Sequence, residues 1–104
     1  MSLVDLQISS VATEYVKTQV SGVVDGLSVN PTSGTVTMAF ATIGSDPVDW
    51  KTGSWEAASG KYYARCLVGA GGAVQLTNGL YEVWVKIVYG AETVVLPAGV
   101  LEVT

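Results

Sequence analysis

Few residues in this chain are equipped for chemistry. Cys66 is the only thiol, and there is no histidine to activate it or any serine. No Ser-His or Cys-His pair can form, and zinc sites built from Cys and His are excluded as well. Cys66 falls mid-strand among core-like neighbours, the place of a buried inert thiol and not of a nucleophile. Asp46 and Asp49 share a loop and are candidates for Ca²⁺. Their spacing lacks the ligand-dense pattern of a dedicated loop, so a turn-initiating Asp and a solvated Asp are the plainer reading. Gly69-Ala70-Gly71-Gly72 has the composition of a phosphate cradle. Such a cradle needs a following helix N-terminus, and here a short strand follows, so a hairpin turn is expected. No catalytic residue, cofactor or metal is therefore assigned.

The aromatic side chains are the remaining candidates. Trp50, Trp55 and Trp84 join Tyr15, Tyr62, Tyr63, Tyr81 and Tyr89 in a chain of 104 residues. Trp84 lies between Glu82 and Lys86 on the outward side of its strand. It is read as an interface anchor, where Trp is enriched. The competing readings are packing under a loop of its own domain and stacking on a sugar ring.

These residues sit on strands. The central one is Gly79 to Tyr89, rich in β-branched and aromatic residues. Side chains alternate along it. Tyr81, Val83, Val85, Ile87 and Tyr89 form an apolar face that should meet the core. Leu80, Glu82, Trp84, Lys86 and Val88 form the other. Asn78-Gly79 reads as a turn before it. Tyr81, two residues past that turn, has the placement of a tyrosine corner, whose hydroxyl bonds back to the preceding connection.

Glu14 to Val20 and Thr35 to Thr42 alternate equally well. The first turns Val16, Thr18 and Val20 inward, and the second Val36, Met38 and Phe40. Tyr62 to Val68 follows a Ser59-Gly60 turn and presents Tyr62, Ala64, Cys66 and Val68 on one face. A short strand near Trp55, another over Ala73 to Thr77, and a last one over Thr93–Leu96 and Val100–Thr104 complete the set. Pro97-Ala98-Gly99 interrupts the last strand, which fits an edge or a bulge. Residues 21–34 read mostly as turn. About seven strands at 8–12-residue spacing, with no helix, is the pattern of an all-β, Ig-like antiparallel sandwich. Its expected core includes Tyr81, Trp55, Phe40, Val83 and Val85.

Length gives one domain, residues 11–104, preceded by an arm or edge strand over residues 1–10. Net charge is −4, and the five basic residues are scattered, so a nucleic-acid footprint is not expected. No apolar run is long enough to span a bilayer, and without a basic and then apolar N-terminal stretch no signal peptide is expected. A lone cysteine favours synthesis in a reducing compartment. Only 13% of residues are charged and 49% are hydrophobic, against about 25% charged in an average soluble domain. A small domain cannot hide that much apolar surface, and large exposed patches mark partner sites. A subunit of an assembly is expected.

The order of Glu14-Tyr15-Val16-Lys17, Asn30-Pro31-Thr32, Ala39-Phe40, Asp49-Trp50, Ser54-Trp55, Tyr63 to Gly69, and Leu76, Gly79, Tyr81 and Val83-Trp84-Val85 resembles a family of small proteins of tailed actinobacteriophages. It covers nearly the whole chain. The resemblance implies a non-enzymatic, Ig-like virion component made in the host cytoplasm, with no catalytic residues to carry over. The leading expectation is a capsid decoration protein on the head surface, bound to the major capsid protein and to copies of itself. The alternatives are a tail or baseplate accessory subunit, and a carbohydrate-binding module that grips host glycans. Leu3, Val4, Leu6, Ile8 and Trp84 are the expected contact residues.

Overall fold

A computed structural model describes residues 6–20, 22–24, 27–29, 32 and 34–104. The elements are β1 (Leu6–Ile8), β2 (Glu14–Val20), β3 (Gly22–Val24), β4 (Leu27–Val29), β5 (Thr35–Thr42), β6 (Lys51–Thr52), β7 (Ser54–Ala58), β8 (Lys61–Val68), β9 (Gly79–Tyr89) and β10 (Glu92–Val103). They form a five-stranded sheet in the order β1-β10-β9-β5-β6, a three-stranded sheet in the order β2-β8-β7, and the β3–β4 hairpin. The first strand runs parallel to the last, and the other pairings are antiparallel. This is the Ig-like division, with the B, E and D strands in one sheet and the C, F and G strands in the other.

Alternation builds the core. Val36, Met38, Val83, Val85 and Ile87 project from the larger sheet, and Val16, Ala64, Cys66 and Val68 from the smaller. Ile8, Leu101 and Val103 close one end. Phe40, Trp55 and Tyr81 are half-buried and pack against this cluster, while Val83 and Val85 lie fully inside it. The Trp55 indole also donates to the Gly34 carbonyl at 2.9 Å, which ties β7 to the start of β5. Val83 stands two residues past Tyr81, where antibody domains carry the second cysteine of their inter-sheet disulfide. Here two buried valines, Val83 and Val16, stand at that level, and apolar packing joins the sheets without a crosslink.

Tyr81 makes the corner. Its hydroxyl donates to the Thr77 carbonyl at 2.8 Å and lies 3.2 Å from the Thr77 hydroxyl. The bond fixes the connection that crosses from the smaller sheet to the larger.

Four expectations are corrected. Tyr89 is not in the core but 44% exposed, because β9 extends past the end of the smaller sheet. Residues 73–77 form no strand. Only Val74 bridges Val68, in parallel, while Val74 and Leu76 pack on the core. Gly69-Ala70-Gly71-Gly72 is therefore not a hairpin turn but a compact loop. Three backbone bonds close it: Gly69 donates to Val74, Gly72 to Gly69 and Ala73 to Leu67. Gly69 (φ 126°) has no room for a side chain, since a Cβ there would lie 2.3 Å from the Ala12 carbonyl oxygen. Finally, the 21–34 region contains the β3–β4 hairpin instead of turn alone. Asn30, Pro31 and Ser33 lie outside the described residues.

Tyr81→Phe removes one hydroxyl and leaves the ring. Urea denaturation is expected to show a loss of about 1 kcal/mol, the usual worth of one such bond. An unchanged midpoint contradicts the corner.

Candidate interaction surface

β10 determines where this molecule is open. Its C-terminal part is covered by β1, which pairs with Leu101, Glu102 and Val103. Its N-terminal part, Glu92 to Pro97, pairs among the described residues with β9 on one side only. Glu92-Thr93-Val94-Val95-Leu96-Pro97 is thus an edge. Val94, Val95 and Leu96 on it are 39%, 44% and 48% exposed. Val88 and Tyr89 of the adjoining β9 are exposed too.

A bulge explains why so much apolar surface collects here. The register with β9 shifts between Pro97 and Gly99, leaving Ala98 unpaired. Before the shift, Val94 and Leu96 lie opposite Ile87 and Val85, on the core side. After it, Gly99, Leu101 and Val103 take that side. Without the extra residue, one half of β10 would turn its apolar side chains to the wrong face. The smaller sheet covers only the second half. Between the end of β2 and β10 a shallow groove of about 110 Å³ is lined by Thr18, Val20, Val85, Leu96 and Ala98.

The opposite side of the sandwich is polar. On the outer face of the smaller sheet, Lys17 and Arg65 both reach Glu56, at 2.9 and 3.1 Å. The Arg65 guanidinium also covers the Tyr15 ring at 4.3 Å. The Lys17 hydrogen bond holds the Glu56 carboxyl below its ordinary value. Desolvation opposes that shift, and the nearby Lys17 and Arg65 charges reinforce it. The outer face of the smaller sheet thus carries a linked ion-pair cluster, while the free part of β10 carries exposed apolar side chains.

The expected contact residues divide. Leu3 and Val4 lie outside the described residues. Leu6 is 36% exposed and borders a small cleft with Val16, Val83 and Val100. Ile8 is corrected: it is 5% exposed and belongs to the core, because its pairing with Val103 turns it inward. Trp84 does point outward between Ala39 and Pro97. Yet it is half-buried, and its indole nitrogen is wholly covered, with no protein partner. Trp50 lies on the same face, where the Lys86 ammonium sits 4.5 Å from its ring centroid. Trp84 is packing within its own domain more than a free anchor.

Trp50, Trp55 and Trp84 are all half-buried. One indole is capped by the Lys86 cation and another is tied to Gly34. Cys66 is buried, its sulfur 3.7 Å from the Thr52 carbonyl, and burial pushes its thiol pKa upward. Asp49 pairs with Lys51 at 3.1 Å. Among the described residues, no group of three His, Cys, Asp or Glu is placed to hold a metal. No described helix is long and apolar enough to cross a membrane.

The residues that sequence reasoning missed are Val94, Val95 and Leu96. Their signal was visible as an apolar run without a Lys before Pro97, an edge lacking the usual protective charge. No protein-family model, curated protein or solved structure matches this chain.

The Glu56 shift fixes a sign. A depressed carboxyl pKa stabilises the fold above the unfolded value, and that stabilisation is lost as pH falls through the folded value. An NMR titration should place the Glu56 midpoint below 4.5. In Lys17→Met the midpoint should rise toward that figure. An identical midpoint in both proteins contradicts the pairing.

Proposed function

We propose that this chain is a non-enzymatic structural subunit of a bacteriophage virion, and specifically a capsid decoration protein bound to the major capsid protein. The observation that carries the assembly reading is the open β10 edge, with Val94, Val95 and Leu96 exposed beside Val88 and Tyr89. Monomeric proteins blunt such edges with charge, proline or a bulge; here Glu92 stands at the start and Pro97 with its bulge at the end, leaving Thr93 to Leu96 without a protecting charge. A partner surface covers apolar side chains and completes the backbone hydrogen bonds at once. Stable contacts of this kind bury about 1,000 Å² or more in total.

The resemblance to small actinobacteriophage proteins supports the virion address, and the low charged fraction of 13% supports a life in contact with neighbours. The two sides of the sandwich suit a shell-bound subunit. The apolar edge serves protein contacts, and the Lys17–Glu56–Arg65 face remains in water. A tail or baseplate position uses the same physics at another address.

Particles purified from the producing host, imaged and probed for this chain, test the proposal. Many copies spread over the head are the expected result. Copies confined to the tail would replace the decoration reading with the accessory one. Absence of the chain from the particles contradicts both.

A further inference from the structure

The free part of β10 is complementary to itself. The β9–β10 turn has two residues, Gly90 and Ala91, with only Gly90 at positive φ (61°). That is the type II′ hairpin, in which the flanking pair, here Tyr89 and Glu92, exchanges hydrogen bonds. Hydrogen-bonded and non-hydrogen-bonded pairs then alternate along the ladder. Glu92, Val94 and Leu96 bond inward to β9. Thr93 and Val95 present their N–H and C=O groups to the open side. Pro97 faces the same way but has no N–H to offer.

We infer that two copies of this chain pair antiparallel through Glu92–Leu96, about a two-fold axis at Val94, and join their larger sheets into one. The inference rests on the reading of this edge as a contact surface. In this register Thr93 of each copy lies opposite Val95 of the other. The two pairs use every donor the edge presents, giving four hydrogen bonds in all. Pro97 falls opposite Ala91 of the second copy, where that copy's strand has already ended in its turn. The missing donor therefore sits outside the ladder. Val94 meets Val94 across the axis, and Leu96 lies opposite Glu92.

Charge favours the arrangement. No like charges face each other. The two Glu92 carboxylates are four residues apart along the strands, about 13 Å at the usual rise and beyond a Debye length at physiological salt. Among the described residues, nothing obstructs it. β1 occupies only Leu101–Val103, and antiparallel pairing carries each copy's β1 away from the axis. The contact is isologous and closes as a dimer, as most homo-oligomers do.

The test uses the isolated protein. Sedimentation equilibrium of the wild type over a range of concentrations is expected to show a monomer–dimer equilibrium. Val94→Glu and Val94→Lys place like charges opposite one another at the axis. Each alone should dimerise at least about tenfold more weakly. An equal mixture of the two should recover the dimer, since residue 94 then faces an opposite charge. Near-UV circular dichroism confirms that each variant is folded. As a backbone variant, Val95→Pro removes one outward donor and should also weaken the dimer. A wild type that stays monomeric when concentrated overturns the inference, as does a mixture no tighter than its components. Neither result touches the virion proposal, which fails only if the chain is missing from particles.

Discussion

One inserted residue in β10 governs the rest of this structure. Ala98 has no partner on β9, and the register slips by one between Pro97 and Gly99. The slip lets a strand of twelve residues keep Val94, Leu96, Leu101 and Val103 on one face. It places Leu101 and Val103 in the core and sends Val94 and Leu96 along the same side, past the reach of the smaller sheet. The bulge is thus the shared cause of the closed end and of the open edge. Pro97 belongs there for a related reason, since a residue without an N–H is tolerated only where no neighbouring strand needs it.

The remaining features follow from this division. At the closed end, β1 pairs in parallel with Leu101 to Val103 of β10, and the Tyr81 hydroxyl anchors the crossing chain to Thr77. Val16 and Val83 fill the level at which antibody domains carry a disulfide. The core carries no buried charged or polar residue among the described ones. Specificity therefore comes from shape, strand register and the glycines. Gly69 shows this most clearly, because the backbone at Ala12 leaves no room for a Cβ. On the outer face of the smaller sheet, Glu56 gathers Lys17 and Arg65 and keeps that side wet.

Much of the sandwich was legible in the sequence, because period-two alternation is a local signal. The span of β5 and the inward sets of β2, β8 and β9 follow from it directly. The corner tyrosine was legible from its place two residues past Gly79, although Asn78-Gly79 forms no turn, since Gly79 already opens β9 and Asn78 has no positive φ. Features that depend on distant partners were not. Ile8 looked like part of a free arm, but its pairing with Val103 makes it core. Tyr89 continued the inward face of β9, yet the covering sheet ends before reaching it. The β3–β4 hairpin was hidden by Gly22 and Gly26, which read as turn. The open edge was the largest omission. Val94 to Leu96 has the same composition as any buried strand, and only the sheet order shows that no described strand pairs with its outer side.

Amide hydrogen exchange along β10 tests the central claim most directly. The claim is that this edge is open within the chain and closed between chains. Val94 and Leu96 donate to β9 and should be protected at every protein concentration. Thr93 and Val95 should exchange rapidly in dilute solution and become protected as the protein is concentrated. Protection of Thr93 and Val95 even at high dilution would mean that the chain covers its own edge. Rapid exchange at every concentration would mean that a second copy never does. Either result contradicts the claim.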